Sequence, residues 1–238
     1  MKRVESVKKN WVDKAVAINP NVQRIRGPSY LNRHAGRDFL VLGNGPSLSD
    51  HRESIFALID EKNLIVMGVN RISGFVTPDY HAFGNKKTFR RDAETVNFMK
   101  SNILIGQYIP RRVVKHNLKG NFEWVLYKNK KDEFFIRNGI IYGGGRTTTG
   151  LLIGVAMVMG GSQIYVAGMD GYSLYLDGGR DLWFHDTIGN YKGDGREGRA
   201  YYKALDDAAN ADLKHIKAYQ EKSGRKVFQF VTPTSYWI

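Results

Sequence analysis

The most informative chemistry in this sequence lies in a glycine turn that follows a short apolar run. Phe39 to Leu42 predicts a strand buried on both faces, and Gly43-Asn44-Gly45-Pro46 then turns the chain toward Ser47 or Ser49, either of which suits a helix N-cap. Because free amides and the helix dipole converge at such a helix start, the turn predicts a nucleotide or phosphate site. The turn matches neither a Walker loop nor GxGxxG, so an ordinary strand-to-helix turn is the alternative.

Two later predicted strands are each followed by an asparagine. The apolar run 64–69 ends at Asn70, and the short strand predicted at 80–83 is followed by Gly84 and Asn85. Ligands of a parallel sheet bind at the carboxyl ends of its strands, so Asn44, Asn70 and Asn85 are predicted to converge on one crevice. Amide side chains donate and accept hydrogen bonds, which suits a base edge or a ribose, although asparagine is also common in turns.

A second glycine motif precedes an apolar helix at 151–160. Gly143-Gly144-Gly145 would let a ligand approach the backbone, and the hydroxyls of 147–149 would cap the helix or bind phosphate beside Arg146. A strand at 163–167 then leads to Gly168-Met169-Asp170-Gly171-Tyr172. The candidate donor-binding residues are therefore Gly43, Asn44, Gly45, Ser47, Asn70, Asn85, Arg146, Thr147, Thr148, Thr149, Asp170 and Tyr172.

The order of elements predicts an α/β fold of the Rossmann-like, doubly wound type with a mostly parallel sheet. A basic helix is expected at 86–100, strands at 101–106 and 122–127, a solvated loop at 128–133, a long helix at 199–223 and a last strand at 227–231. Residues 177–198 are rich in glycine, aspartate and aromatic residues and predict a lid loop. A basic arm at 1–37, with a helix near 4–17, is predicted to precede a single domain at 38–238.

The composition is strongly basic, with a formal net charge of +13. The excess lies in residues 1–37, with nine Lys or Arg against two acids, and in residues 86–137, with thirteen against five. Such segments favour a polyanionic partner, either nucleic acid or an anionic glycan, although a basic surface also serves solubility. The chain has no cysteine, no apolar run near the roughly 20 residues of a transmembrane helix and no signal-peptide core, which together favour a cytoplasmic protein.

Five motifs occur in order across residues 38–238: LVLGNGPSLSD, the VN at 69–70, the FGN at 83–85, GGRTTTGLLIGVAMVMGGSQIYVAGMDGY and VFQFVTPTS. As a set they resemble the bacterial sialyltransferase-like superfamily. The most similar groups are the sialyltransferases that use CMP-sialic acid and the DUF115 proteins, which include flagellin-glycosylation factors and the archaeal hydroxymethylpterin diphosphokinase.

The resemblance implies a metal-independent, inverting transfer from a CMP-sugar, which is a co-substrate, so no cofactor is expected. It implies that Asn44 holds the nucleotide and that Asn70 and Asn85 contact the phosphate, ribose or sugar of the donor. A hydroxyl within 147–149 would also bind the donor. Tyrosine hydroxyls and helix-end amides can replace a metal because a cytidylate leaving group needs only modest charge compensation.

The general base is the point at which the sequence departs from this family. Asp170 and Tyr172 match the strand-end motif whose tyrosine stabilises the leaving phosphate, but the family's catalytic histidine aligns best with Asp207 or its neighbour. On chemistry His185 of the lid is favoured, because imidazole titrates near neutrality, and Asp207 and Asp186 are the carboxylate alternatives. His185 and Asp186 are adjacent rather than four residues apart, so no metal site is predicted.

The leading hypothesis is a glycosyltransferase that moves a sugar from a nucleotide, most plausibly CMP, to a hydroxyl of an anionic glycan or of a hydroxylated base in nucleic acid. A pterin-type diphosphokinase and a non-catalytic protein that binds nucleotides or polyanions are the alternatives. The oligomeric state is left open.

Overall fold

A computed structural model of the chain describes residues 28–97, 99–172 and 196–236. Residues 1–27 of the predicted basic arm, including its helix, and residues 177–195 of the predicted lid lie outside this range. Among the described residues, no helix combines the length and apolarity that crossing a bilayer requires.

The described part of the chain is built on seven parallel strands. They are β1 (Phe39–Leu42), β2 (Ile65–Val69), β3 (Tyr80–Phe83), β4 (Asn102–Gly106), β5 (Phe122–Val125), β9 (Ile164–Ala167) and β10 (Gln229–Phe230). Their order in the sheet is β10-β9-β1-β2-β3-β4-β5, and each neighbouring pair is parallel. The sheet order reverses at β1, because β2 lies on one side of it and β9 on the other. The predicted doubly wound α/β fold is therefore confirmed.

Helices cover both faces of this sheet. They are α1 (Ser47–Asp50), α2 (Arg52–Lys62), α3 (Lys86–Val96), α4 (Arg111–Asn117), α5 (Thr148–Val158) and α6 (Arg196–Lys222). Alternate residues of β1 serve the two faces: Phe39 and Val41 join the core around α5, and Leu40 and Leu42 pack toward α2. Helix α5 is almost entirely buried because the sheet lies on one side of it and α6 and β8 (Ile140–Tyr142) on the other.

The structure differs from the predicted elements mainly between β4 and α5. The segment after Pro110 forms α4, a basic helix that was not predicted. The predicted strand at 122–127 divides into β5 and β6 (Tyr127–Lys128), and β6 joins a small sheet with β8 and β7 (Phe135–Arg137). Each of these pieces is short, and short segments carry too few residues to establish a period.

Residues 28–37 pack against the domain rather than extending from it. The amides of Asn32 and His34 donate to carbonyls at the end of α5, and the Tyr30 ring is fully buried. The Arg33 guanidinium pairs with the Glu123 carboxylate at the start of β5, at 2.7 Å. Residues 28–37 thus pack with the domain, whereas the sequence analysis assigned them to the arm. The contacts that hold them are tertiary and leave no local sequence period.

Gly43 provides a test of how tightly the turns after β1 and β9 are packed. A Cβ at Gly43 would overlap the backbone carbonyl oxygen of Gly168, which cannot rotate away. We expect Gly43→Ala to lower the free energy of unfolding by about 1–3 kcal/mol, as overpacking of a well-packed region does. Urea titration followed by far-UV circular dichroism measures this change.

Gly120→Ala is the matched control, because a Cβ there would meet no atom within 4 Å. Its stability should stay within about 0.5 kcal/mol of the native chain, as is usual for surface changes. Equal stabilities of the two variants would contradict the close approach of the two turns.

Candidate functional site

A cleft of about 560 Å³ opens at the carboxyl edge of the sheet, over the point where the strand order reverses. The segments that follow β1, β2, β3 and β9 line it, together with the start of α5, one side of α6 and Tyr236. The structure brings ten of the predicted site residues to this cleft: Asn44, Gly45, Asn70, Asn85, Arg146, Thr147, Thr148, Thr149, Asp170 and Tyr172.

The turn after β1 is bound to the turn after β9 by a buried carboxylate. Asp170 accepts hydrogen bonds from the Ser47 amide, at 2.8 Å, and from the Ser47 hydroxyl. A Cβ at Gly45 would overlap the same carboxylate, so glycine is required there by space. Gly43, whose amide donates to Ala167, lies behind the cleft and packs on Gly168.

The predicted anion site at this first turn is corrected by these contacts. The Ser47 amide donates a hydrogen bond to Asp170 and is therefore not free to bind a phosphate. Helix α1 has only four residues and ends at His51. Pro46 is the N-cap, and neither Ser47 nor Ser49 caps α1 with its side chain. The turn serves instead to position Asn44.

Two asparagines that line the cleft each have a buried side-chain oxygen without a hydrogen-bond donor among the described residues. These oxygens are Oδ1 of Asn44 and Oδ1 of Asn70. Asn44 is 5% exposed, and its Nδ2 donates to the Val69 carbonyl at 3.2 Å, which fixes the orientation of the amide. A buried acceptor without a donor costs about 1–3 kcal/mol, so the pair is suited to a ligand that brings hydroxyl or amino groups.

His81 supports Asn70 from within the sheet. Asn70 has a left-handed backbone with φ of 53°, and its carbonyl accepts a hydrogen bond from Nε2 of His81. Because a carbonyl can only accept, Nε2 of His81 carries a proton. Burial lowers the pKa of His81 to about 4, against a smaller opposing effect of the hydrogen bond to Asn70. His81 was not predicted, because one histidine within a buried strand resembles a packed core residue.

Asn85 and Arg91 form the wall contributed by α3. The Asn85 side chain is the N-cap of α3 and accepts from the amide and the hydroxyl of Thr88, both at 2.9 Å. Arg91 pairs with the buried Asp92 at 2.6 Å, and Arg71 approaches the same carboxylate at 2.9 Å. Burial would raise the pKa of Asp92, but these guanidinium groups outweigh it and hold the pKa below its ordinary value.

The start of α5 forms the opposite wall. The Thr147 hydroxyl accepts from the Gly150 amide at 3.0 Å and caps the helix, as predicted for a hydroxyl at this position. The amides of Thr148 and Thr149 have no acceptor among the described residues, which leaves the helix start able to bind an anion.

Arg146 is held beside this helix start by α6. Its backbone amide donates to the buried Asp212 carboxylate at 3.1 Å, and its guanidinium donates to the Ala208 carbonyl at 3.1 Å. Burial raises the pKa of Asp212, and the neighbouring Arg146 opposes that rise.

The third wall is aromatic. The rings of Tyr172 and Tyr202 lie 5.0 Å apart, and Tyr236 donates from its hydroxyl to Asp206 at 3.0 Å. The same carboxylate oxygen accepts from the Tyr172 amide at 2.9 Å, so Asp206 joins α6 to the strand-end loop. Burial raises the pKa of Tyr236. Tyr202 and Tyr236 were not predicted, and Asp206 entered the sequence analysis only as the neighbour of Asp207.

The structure does not bring Asp207 to the cleft. Its side chain is 66% exposed and pairs with Lys203, one turn earlier on the outer face of α6, at 2.8 Å. The adjacent Asp206 is the residue that faces inward, because neighbouring helix positions differ by about 100°. The other candidates for the base, His185 and Asp186, lie outside the described residues.

Within the described ranges, no group of three or more His, Cys, Asp or Glu side chains is arranged to hold a metal ion. A scan against protein-family models found no match, and a search of curated proteins found no similar sequence. Function must therefore be argued from the cleft itself.

The support that His81 gives to Asn70 predicts a specific pH dependence of stability. Between its ordinary pKa, near 6.5, and its folded pKa of about 4, His81 takes up a proton only when the chain unfolds. The unfolded state then binds more protons, so the free energy of unfolding falls as the pH falls through this window.

Comparison with His81→Gln isolates this contribution, since the other titrating groups are common to both chains. We expect the free energy of unfolding of the native chain to fall relative to that of the variant by about 2–3 kcal/mol from pH 7 to pH 4. Urea titrations at several pH values provide the measurement. Parallel stability curves for the two proteins would show that His81 is not buried in its neutral form.

Proposed function

We propose that the protein is a glycosyltransferase that takes a sugar from a nucleotide-activated donor, with CMP as the nucleotide. The acceptor is a hydroxyl on a polyanion, either an anionic glycan or a nucleic acid carrying a hydroxylated base. The cleft supports this proposal by its position, because ligands of doubly wound sheets bind at the reversal point, and by its volume, which suits a nucleotide-sized ligand.

The observation that carries the proposal is the pair of buried acceptors, Oδ1 of Asn44 and Oδ1 of Asn70. The 2′ and 3′ hydroxyls of a ribose and the amino group of cytosine are all donors, so a cytidine nucleotide would satisfy both oxygens. Since Nδ2 of Asn44 is already bound to Val69, that amide would present its oxygen to the ligand. Satisfaction of two buried polar atoms gives the bound nucleotide both affinity and orientation.

The phosphate of the donor would lie at the start of α5. The open amides of Thr148 and Thr149, the helix dipole and the Arg146 guanidinium all favour negative charge at that place. Asn44 and Asn70 would then hold the nucleoside while α5 holds the phosphate. This distribution of donors and acceptors fits the two ends of a nucleotide.

In the proposed reaction the acceptor hydroxyl loses its proton to a base as its oxygen bonds to the anomeric carbon. The bond from that carbon to the phosphate oxygen breaks, and CMP leaves with the electron pair. Because the acceptor attacks from the opposite face, the configuration at that carbon is inverted. Charge then grows on the phosphate, where Arg146, the α5 amides and the Tyr172 hydroxyl stabilise it. The proposed step needs no metal, which a parallel assay with a chelator tests.

Binding measurements test the nucleotide site separately from catalysis. We expect the chain to bind CMP more tightly than UMP, GMP or AMP in isothermal titration calorimetry. Asn44→Ala should weaken CMP binding about tenfold or more, because loss of a buried hydrogen-bond partner costs about 1–3 kcal/mol. Asn121→Ala, an exposed asparagine before β5, is the matched control and should bind as the native chain does. Equal CMP affinities for Asn44→Ala and the native chain would reject the site.

Release of the nucleotide from CMP-, UDP- and GDP-sugars distinguishes the three functional hypotheses. Turnover of a CMP-sugar that persists in EDTA supports the transferase. Pyrophosphoryl transfer from ATP with magnesium would favour the diphosphokinase, and nucleotide binding without turnover would favour the non-catalytic protein.

Substitution of His185 tests the base. His185→Ala should abolish transfer and leave CMP affinity within about twofold of native, because general-base catalysis contributes about 10²–10⁴-fold to the rate and the base contacts the acceptor. Asp207→Asn should be close to native in rate, since Asp207 lies on the outer face of α6. Normal turnover by His185→Ala with loss of turnover in Asp186→Asn would assign the role to the carboxylate.

A further inference from the structure

A second groove lies between α3 and α4. It has a volume of about 510 Å³ and is lined by Arg90, Arg112, Val113, His116 and Asn117. No acidic side chain is among these residues. Arg90 precedes Arg91, which lines the cleft, so adjacent residues of α3 line the two sites.

The hydrophobic core is what holds these like charges together. Phe89 and Ala93 of α3 and Val113 and Val114 of α4 are buried in one apolar cluster under the groove. Their burial fixes the distance between the helices, although it brings Arg90 close to Arg112. An anion in the groove would remove this repulsion, whereas a solvent-filled groove must tolerate it.

The nearby acidic side chains of Asp92 and Glu123 are paired with other arginines. Asp92 is buried and bound by Arg71 and Arg91, and the Glu123 carboxylate on β5 is bound by Arg33. Glu94 follows Arg90 by one helical turn but forms no ion pair with it. Arg112 likewise has no ion pair among the described residues.

An exposed aromatic ring lies in the loop that leads into α4. Tyr108 lies between β4 and α4 and is 53% exposed. Its ring packs edge to face with the Tyr127 ring, and the two ring centroids are 5.0 Å apart. The Tyr127 ring in turn lies against Gly145, the neighbour of the cleft residue Arg146. Tyr127 and Gly145 thus connect Tyr108 to the cleft residue Arg146. The exposed ring of Tyr108 is suited to stacking on a nucleobase.

We propose that the basic ridge, defined as Arg90, Arg112, His116 and Tyr108, binds a single strand of nucleic acid. The guanidinium groups contact successive phosphates of the backbone, and Tyr108 stacks on a base. Basic residues combined with an exposed aromatic ring are the usual means of binding a single strand without sequence preference. On this basis the acceptor of the proposed transferase is a nucleic acid. That part of the inference rests on the proposed function.

Fluorescence anisotropy with the full chain and a labelled oligothymidylate of about 20 nucleotides tests the ridge. Arg90→Ala with Arg112→Ala should weaken binding about tenfold or more and reduce the slope of log affinity against log salt by about 1.4, since each phosphate contact on a single strand contributes about 0.7. Arg90→Lys with Arg112→Lys keeps the charge and should restore most of the affinity. Thermal unfolding by circular dichroism verifies that each variant is folded.

Two further variants make the test specific. Lys222→Ala with Lys226→Ala removes the same charge near the end of α6, away from the ridge, and should leave the salt slope unchanged. Tyr108→Ala should weaken binding about fivefold or more, which is the lower range for loss of one stacked base. If Arg90→Ala with Arg112→Ala binds the oligonucleotide as tightly as Lys222→Ala with Lys226→Ala does, the ridge proposal is wrong.

A sulfated heparin fragment of comparable charge serves as the competing polyanion. If it binds as tightly as the oligonucleotide and Tyr108→Ala has no effect on either, the ridge recognises charge alone and the assignment to nucleic acid is overturned. CMP affinity is measured on the same variants and should stay native. Ridge-dependent DNA binding without any CMP binding would reject the transferase and keep the ridge.

Discussion

The Asp170 carboxylate joins the two turns from which the cleft is built. It is buried, and the amide and hydroxyl of Ser47 both donate to it. This contact requires a bare backbone at Gly45, and the approach behind it requires one at Gly43. A shift of either turn would move Asn44 and would leave a buried carboxylate short of donors, which is costly. The geometry of the cleft therefore depends on this one interaction.

The cleft is polarised by the elements that meet around it. Asn44 and Asn70 present acceptors from the ends of β1 and β2, whereas α5 and Arg146 present donors and positive charge from the other wall. His81 holds the backbone of Asn70 in its left-handed conformation from below. A ligand with hydroxyl groups at one end and a phosphate at the other matches both walls, and on this basis we infer a nucleotide.

Much of the fold could be predicted because β1, β2 and β9 are apolar runs, and because a glycine or asparagine follows each of them and also follows β3. Their carboxyl ends carry Asn44, Asn70, Asn85 and Asp170, so the parallel topology alone brings these residues together. The role of Asp170 could not be predicted in this way. A carboxylate that occupies the Ser47 amide is a contact between segments more than 100 residues apart, and no local pattern reports it.

The residues missed by sequence reasoning share the same cause. Asp206 and Asp207 are adjacent acids on one helix, and only the packing of α6 determines which one is buried. His81 acts on Asn70 across the sheet, and α4 is too short for a helical period to be recognised. Similarity in motif suggested Asp207 as the base, but the helical phase places it on the outer face.

A crystal structure of the chain with CMP tests the central claim most directly. The account predicts that the phosphate lies within hydrogen-bond distance of the Thr148 and Thr149 amides, and that a hydroxyl or amino group of the nucleoside donates to Oδ1 of Asn44. The Asp170 contact with Ser47 should be unchanged. A nucleotide bound elsewhere on the chain, or one bound in the cleft with both asparagine oxygens still lacking a donor, would contradict it.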